Sequence, residues 1–230
     1  MTTSLSFKPA LLLAALLSVI APAQAAFSIF GDATSFRSAT TAPGVDNFFG
    51  VPQDQAALNP MNRRTLLGET YRYQASATES SLIGAGTADE IWLTANVAAD
   101  VITFSHFSPN VTAFGGYFFG TDFNGQYQSG DVTLVVTDAS GLTVGQTLTG
   151  PTLDSFVGFV SSGPAIVSVS LYAQALPSGD ALWPTARAVM LAQVAPGALL
   201  QTVSSVPEPA SAALMLAGLT GLAMLARRRR

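Results

Sequence analysis

Residues 111–119 read Val-Thr-Ala-Phe-Gly-Gly-Tyr-Phe-Phe, an apolar stretch of aromatic and β-branched side chains. These residue types favour β-strands, and the adjacent Gly115 and Gly116 indicate a bulge or a close approach of another backbone. Residues 132–137 form a second apolar run, and the turn-rich residues 121–130 predict that the two runs pair as a hairpin. This part of the chain therefore predicts antiparallel β-structure.

Further β-prone runs, separated by Gly, Pro, Asn, Asp and Ser, occur at 91–94, 101–104, 142–148, 156–160 and 166–172. Residues 138–141 form a turn before one of these runs, and residues 161–164 predict that the last two runs pair as a hairpin. Alternation in the last run places Ile166, Ser168, Ser170 and Tyr172 on one face, and Val167, Val169 and Leu171 on the other. One face of this strand is therefore expected to lie in the core and the other to be partly exposed to solvent.

The remaining body is less regular in pattern. Asp32 is a candidate N-cap for a short helix over 33–37, residues 70–75 predict a strand, and residues 186–194 fit a closing strand or a helix. About ten strands without a long amphipathic helix predict an all-β fold, an antiparallel β-sandwich of jelly-roll type, over residues 26–195. Residues 196–205 are a linker of small and polar residues.

The N-terminus has the three parts of a secretory signal peptide. Lys8 supplies a positive charge, residues 9–20 an apolar run, and Ala23-Gln24-Ala25 a small-x-small cleavage site. The apolar run is about a dozen residues long, which is short of the roughly 20 that span a membrane. We therefore expect Ala23 and Ala25 to direct cleavage by signal peptidase after residue 25.

The C-terminus has the parts of a membrane-sorting segment. Val206-Pro207-Glu208-Pro209 precedes 17 uncharged residues at 210–226, and the chain ends in Arg227, Arg228, Arg229 and Arg230. The prolines keep the motif extended, which is the form that a protease groove binds. At 1.5 Å per residue the uncharged stretch is roughly 25 Å long, so it predicts a single transmembrane helix. The arginines favour a cytoplasmic end, which places the body outside.

Pro207-Glu208-Pro209, the short apolar helix and the arginine cluster together resemble the PEP-CTERM sorting signal of exported proteins in Gram-negative bacteria. The resemblance implies that an exosortase, a membrane-embedded cysteine protease, recognises Pro207, Glu208 and Pro209 and removes the 206–230 tail. It implies a precursor anchored in the inner membrane that is then delivered to the cell surface or extracellular matrix. The runs at 111–119 and 155–161 also resemble the β-sandwich bodies found with such tails.

Residues 26–205 carry an acidic balance. Of the 14 acidic residues only Glu208 lies outside this range, whereas Lys8 and the four terminal arginines account for five of the 10 basic residues, leaving a net charge of about −8. Nucleic acid and anionic lipid headgroups require a basic face, so neither is an expected partner of the body. The chain has no cysteine, which excludes thiol nucleophiles and thiolate metal sites.

His106 is the only histidine, so a Ser-His-Asp triad would have to contain it. Its neighbour Ser105 is predicted to point to the opposite face of a strand, and the chain has no Gly-x-Ser-x-Gly elbow. We interpret His106 as a structural or surface residue. No enzyme activity is expected.

Two carboxylate pairs are candidates for glycoside hydrolysis, namely Asp89 with Glu90 and Asp122 with Asp131. Turn chemistry explains both pairs.

Residues 122–126 begin like a calcium loop, but the later ligands and the bidentate Glu are missing. A calcium site elsewhere on the acidic body stays open, and no metal or cofactor is assigned. The sequon that starts at Asn110 is interpreted as a turn before a strand.

Six aromatic residues could include a platform that stacks on sugar rings, namely Trp92, Tyr117, Phe119, Phe123, Tyr127 and Trp183. Tyr117 and Phe119 share one strand face and Phe118 takes the other, so at least one of the two sets is core. We expect most of the six to be core.

The hypothesis that follows is an exported, non-enzymatic β-sandwich with a structural or adhesive role at the cell surface or in a biofilm matrix, associated with exopolysaccharide. A carbohydrate-binding module is one alternative, and an outward-facing row of aromatic rings would favour it. A polysaccharide hydrolase is the other, and two body carboxylates about 5 to 9 Å apart in a cleft would favour it.

Overall fold

The computed structural model of the protein describes residues 26–53, 55–98 and 100–198. Its elements in chain order are β1 (Phe27–Phe30), α1 (Ala33–Ser38), β2 (Thr40–Asp46), β3 (Met61–Arg64), β4 (Leu67–Gly68), β5 (Arg72–Ala77), β6 (Leu82–Thr87), β7 (Glu90–Ala95), β8 (Ile102–Ser105), β9 (Ala113–Thr121), β10 (Tyr127–Gln128), β11 (Val132–Asp138), β12 (Thr143–Leu148), β13 (Phe156–Ser161), β14 (Ile166–Ala173) and β15 (Trp183–Val194). In these ranges no helix is long and apolar enough to cross a membrane. The predicted signal peptide, sorting motif, C-terminal helix and arginine cluster lie outside the described residues.

The strands form two antiparallel sheets. Sheet A has the order β1-β13-β9-β15-β2-β4, with β10 added to β9 and the β6-β7 hairpin added to β15. Sheet B has the order β12-β11-β14-β8-β5-β3. One large apolar core contains side chains of both sheets, such as Phe114 and Phe118 of sheet A and Phe104 and Leu134 of sheet B. The predicted all-β, antiparallel sandwich is confirmed.

Two predicted strand pairings are wrong, namely that of the run 111–119 with 132–137 and that of 156–160 with 166–172. Residues 111–119 and 132–137 lie in β9 and β11, which belong to different sheets, and β13 and β14 are likewise split between the sheets. Almost all of β9 is buried on both faces, because it lies inside sheet A between β13 and β15. A turn signal predicts that the chain reverses, but it does not specify which sheet receives the next strand. The β11-β12 hairpin around residues 138–141 forms as expected.

Close backbone contacts explain two glycines of the central strands. A Cβ at Gly116 would overlap the carbonyl oxygen of Ala188 in β15, and a Cβ at Gly158 would overlap the ring of Phe36. Phe36 is the buried residue of α1, whose N-cap is Asp32, as predicted. The glycines therefore allow α1 and β15 to pack closely on β13 and β9.

Strand β14 departs from simple alternation at its start. Its register with β11 shifts between Thr137 and Asp138, so that Val167 is left without an opposite residue. Ile166 is consequently buried on the same side as Val169, while Val167 is exposed. The predicted faces are correct from Ser168 onward and wrong for Ile166 and Val167, because a β-bulge inserts one residue and reverses the faces.

A buried ion pair joins the two sheets. Asp46, at the end of β2 in sheet A, is fully buried and binds Arg63 of β3 in sheet B through two hydrogen bonds of 2.6 and 2.9 Å. The hydroxyl of Tyr73 in β5 donates to the same carboxylate at 2.7 Å. Burial, and then the charge of Asp46, raise the pKa of Tyr73 well above its ordinary value, which keeps it a donor. Every oxygen of the carboxylate therefore has a partner, as burial of a charge requires.

Asp100 supplies a second buried carboxylate, which holds a loop in place. It is 2% exposed and accepts hydrogen bonds from the backbone N–H groups of Thr78, Glu79, Ser80 and Val101 and from the Ser80 hydroxyl. Burial alone would raise the pKa of Asp100, but the hydrogen bonds from Ser80, Glu79 and Val101 outweigh it, so the pKa is lowered. The carboxylate is thus favoured in the folded state.

We expect Asp100 to make the body sensitive to acid. Because its folded pKa lies below its unfolded value, its contribution to stability is complete above pH ~4 and is lost as pH falls through the folded pKa. Replacement Asp100→Asn should lower the free energy of unfolding by about 1.5–3 kcal/mol at pH 7 and flatten its decline between pH ~4 and 2. Urea unfolding at pH 7 and pH 3 measures both effects. The exposed Asp89→Asn is the control, and equal slopes in the two variants would contradict this role.

Candidate functional site

A β-bulge in β15 places Arg187 at a gap between strands. Ala186 lies opposite Phe118 and Ala188 opposite Tyr117, so Arg187 is the additional residue that β9 does not match. On the other edge of β15, β7 pairs only up to Ala186 and β2 pairs only from Val189 onward. Bulges turn a side chain out of the ladder, and here the bulge coincides with the gap between β7 and β2.

Two acidic residues from different elements bind Arg187. Its Nε donates to Glu90 of β7, and its Nη1 lies 3.0 Å from Asp154 in the loop before β13. The guanidinium also lies 5.9 Å from the centre of the Tyr117 ring. Burial lowers the pKa of Arg187, while the hydrogen bonds and charges of Glu90 and Asp154 raise it, and the net shift is upward. The cation is therefore permanently charged and held in one position.

A cleft of about 640 Å³ opens around this ion-pair network. We call it the Arg187 cleft, and its lining residues are Asn47, Phe49, Ala88, Asp89, Glu90, Ile91, Tyr117, Asp154, Arg187 and Ala188. The β2 end, the β6-β7 turn, β9 and β15 each contribute to it. Its size is within the range of ordinary ligand sites.

The segment after β2 presents an aromatic ring to this cleft. Phe48 is fully buried and has a φ of +60°, a conformation that a bulky residue rarely adopts. Its backbone N–H donates to Asp46 at 2.9 Å, and the neighbouring Phe49 carbonyl accepts from Arg63. The buried ion pair between the sheets thus holds a strained backbone, which leaves the Phe49 side chain 74% exposed. Strain that is held in this way is typical of binding sites.

The Arg187 cleft combines two aromatic rings with hydrogen-bonding groups. Phe49 is exposed and Tyr117 is half-buried, packed edge-on against Phe156 at 5.5 Å. Asn47 supplies an amide, while Asp89 supplies a carboxylate in the exposed β6-β7 turn. Such a surface offers apolar contact together with donors and acceptors, which suits a ligand with C–H faces and hydroxyl groups.

The six aromatic residues considered as a sugar platform divide into three groups. Trp92 and Phe119 are core residues, with ring centres 5.0 Å apart. Tyr117 lines the Arg187 cleft. Phe123 and Trp183 form an edge-to-face pair at 6.1 Å on the surface, and the Tyr127 hydroxyl donates to the Pro151 carbonyl at 2.9 Å. The expectation that most of the six are core is therefore wrong, because only Trp92 and Phe119 are buried core residues.

The predicted carboxylate pairs have separate roles. Asp122 accepts from the backbone of Asn124 and Gln126, and Asp131 accepts from Gly150, as the turn interpretation predicts. Glu90 differs from the prediction in part, because it is the first residue of β7 and binds Arg187, although its side chain is still 44% exposed. Among the described residues no group of three or more His, Cys, Asp or Glu could hold a metal ion.

His106 is exposed and follows β8 with a φ of +52°. The prediction that Ser105 points away from it is wrong, because the strand ends at Ser105 and its hydroxyl lies 3.0 Å from His106 Nδ1. No hydrogen bond within the described ranges joins a carboxylate to His106. The contact is thus a local pair of neighbours and lacks the third member of a triad.

Sequence reasoning missed Asn47, Phe49, Asp154 and Arg187 as site residues. One signal pointed to Arg187, which is the only basic residue between Arg72 and the terminal arginines. A lone cation in an acidic body is expected to have acidic partners. The identity of those partners follows only from the strand order.

The body is thus an antiparallel β-sandwich protein with a cleft that suits a hydroxyl-rich ligand. Residues 205–230 match the family model of the PEP-CTERM protein-sorting motif. The chain therefore carries a PEP-CTERM signal, which implies export, processing by an exosortase and a surface or extracellular location. The predicted resemblance of the tail is confirmed.

Comparison with solved structures gives weak similarities to other proteins. Two variants of the family 29 carbohydrate-binding module CBM29-2 are 8% and 7% identical, with TM-scores of 0.35 and 0.36, and cover 66% and 67% of this chain and 92% and 94% of theirs. The second of them is complexed with cellulohexaose. A glycoside hydrolase family 43 arabinoxylan arabinofuranohydrolase from Bacillus subtilis is 16% identical, with a TM-score of 0.30, and covers 64% of this chain and 30% of that one. No curated protein matches the chain.

Proposed function

We propose that the protein is an exported, non-enzymatic matrix protein that holds exopolysaccharide in the Arg187 cleft. Its predicted signal peptide (1–25) directs export, the predicted transmembrane segment at 210–226 anchors the precursor, and an exosortase removes the tail at the PEP-CTERM motif. The released body then has a structural or adhesive role at the cell surface or in the extracellular matrix. The observation that carries the proposal is the exposed Phe49 ring, held by a strained and ion-paired backbone beside Tyr117 and Arg187.

The charge of the cleft indicates which polysaccharide it binds. Among the described residues, Asp89, Glu90 and Asp154 line it together with one cation, Arg187, which already has two acidic partners. A polyanionic sugar chain would meet excess negative charge. A neutral polysaccharide, whose hydroxyls donate to carboxylates and whose rings stack on Phe49, is the better ligand.

The same ion pairs argue for binding without hydrolysis. Glycoside hydrolysis requires one carboxyl group protonated and the other free to attack or to activate water. Arg187 donates to both Glu90 and Asp154, so both carboxyl groups are already engaged in ion pairs with one cation. A hydrolase would release reducing ends from the bound polysaccharide, and Glu90→Gln would abolish that release. Observation of both effects would contradict the binding role and establish hydrolysis instead.

The position of the cleft suits a precursor that is tethered by its C-terminus. Strand β15 ends at Val194 and the described body ends four residues later, at residue 198. Arg187 precedes Val194 by seven residues, which is roughly 23 Å along the strand. The cleft is therefore distant from the end of the body that continues into the tail.

We expect Phe49→Ala to weaken binding of neutral exopolysaccharide about tenfold, since it removes an exposed stacking ring. Leu58→Ala is the matched control, because Leu58 is 82% exposed and lies outside the cleft. Affinity electrophoresis in gels that contain the exopolysaccharide measures both. Equal retardation of the two variants would contradict binding in the Arg187 cleft.

A further inference from the structure

We propose that the protein has a second glycan site, formed by Phe123 and Trp183, and that it cross-links neutral polysaccharide chains. This proposal rests on the proposed function, because it assigns the same ligand class to a separate site. The two rings lie at a pocket of about 160 Å³ on sheet A, which we call the Phe123 pocket.

The aromatic pair is exposed and preorganised. Phe123 is 83% exposed, and its ring meets the half-buried Trp183 edge-on at 6.1 Å. The loop that carries Phe123 is fixed, since Asp122 Oδ1 accepts from Asn124 and Gln126 at 2.8 Å each. The Gly125 carbonyl also accepts from Gly86 of β6 at 3.1 Å. A large apolar ring held open to solvent by a rigid loop costs little entropy when it binds.

The polar lining of this pocket defines its ligand. Side-chain amides come from Gln53, Asn96 and Asn124, and a carboxylate comes from Asp122, which uses only Oδ1 for its turn. No arginine or lysine is among the described residues that line the pocket. Amides and one carboxylate recognise hydroxyl groups, and the missing cation disfavours acidic sugars. The ligand class is a neutral glycan.

This pocket and the Arg187 cleft share no lining residue. The Tyr127 hydroxyl binds the Pro151 carbonyl at 2.9 Å, and the Tyr127 ring packs on Phe119. Arg187 Nη1 reaches the Leu153 carbonyl at 3.3 Å. On β7, Glu90 lines the cleft and Thr94 lines the pocket. These two residues are four positions apart, which is roughly 13 Å along the strand. Each site therefore has its own set of residues with which to hold a glycan segment.

A second copy of this chain fits the pocket less well. A stable interface buries about 800 Å² on each partner around an apolar centre. Among the described residues, Phe123 is the one large apolar side chain of this pocket that is mainly exposed, and amide groups surround it. A glycan needs one or two stacking rings, which is what the surface provides.

The test is isothermal titration of the full-length chain with a soluble neutral β-glucan oligosaccharide and with neutral exopolysaccharide from the producing cells. The unsubstituted chain should bind two oligosaccharides. Phe123→Ala and Phe49→Ala should each keep one site of unchanged affinity, while binding at the altered site becomes about tenfold weaker or undetectable. Light scattering should show aggregation of exopolysaccharide by the unsubstituted chain and not by Phe123→Ala. Leu58→Ala should behave as the unsubstituted chain.

The outcomes separate the two proposals. One bound oligosaccharide that is lost in Phe49→Ala and kept in Phe123→Ala would overturn the second site and leave the proposed function intact. No binding by the unsubstituted chain would overturn both. A change in oligomeric state on Phe123→Ala, with unchanged glycan stoichiometry, would show that a second copy occupies the pocket and would contradict the proposal.

Discussion

Replacement of Arg63 by alanine is expected to lower the free energy of unfolding by about 3–5 kcal/mol, because it leaves the buried Asp46 charge without its cation. For a domain of this size the loss corresponds to a melting temperature lower by about 6–20 °C. Phe48 and Phe49 depend on the same pair, so the variant should also lose glycan binding near its own melting temperature. Thermal unfolding followed by circular dichroism measures the effect.

The neighbouring Arg64 provides a matched control. It lies on the exposed face of β3, so Arg64→Ala should change the free energy of unfolding by no more than about 0.5 kcal/mol. Equal destabilisation of the two variants would show that the loss arises from the strand and not from the buried ion pair. The double variant Asp46→Asn with Arg63→Met should recover part of the loss, since it removes both charges.

Replacement of Pro207, Glu208 and Pro209 by alanine is expected to abolish removal of the tail while leaving the body folded. The motif lies in the segment that matches the PEP-CTERM sorting motif, and proline favours an extended backbone, which is the form that a protease groove binds. Intact mass spectrometry of the protein from membrane, surface and medium fractions measures processing. The variant should keep its tail and remain in the membrane fraction.

A second replacement controls for the charge of the tail. Substitution of Arg227, Arg228, Arg229 and Arg230 by serine should disturb retention of the precursor, since positive charge fixes the cytoplasmic end. It leaves the recognition motif in place. Processing of the Pro207-Glu208-Pro209 variant at the rate of the unsubstituted chain would contradict recognition of that motif by an exosortase.

Local patterns predicted much of the fold. Asp32 caps α1 because its short side chain accepts from Ser35, three residues ahead. The turn at 138–141 joins β11 and β12 because Asp138 binds the backbone of Ser140 and Leu142 within the same loop. Both features depend on residues that are close in sequence, where propensity and turn chemistry act directly.

Sheet assignment and the candidate site depend on distant residues. The turn after β9 forms a hairpin only with the short β10, and the next long strands after β9 and β13 both lie in the other sheet. Arg187 meets Glu90, 97 residues earlier, and Asp154, 33 residues earlier, and the β15 bulge that brings them together leaves no local pattern. Phe49 is exposed because of a buried pair that single-sequence periodicity does not reveal.

The most direct test of the account is titration of the exopolysaccharide from the producing cells with the unsubstituted protein, after separation of the polysaccharide into neutral and acidic fractions. The account predicts saturable binding to the neutral fraction that changes little between 50 mM and 500 mM salt, because stacking and hydrogen bonds to neutral sugars carry it. Binding to neither fraction, or binding to the acidic fraction alone, would contradict the assignment of this protein as one that holds neutral matrix polysaccharide.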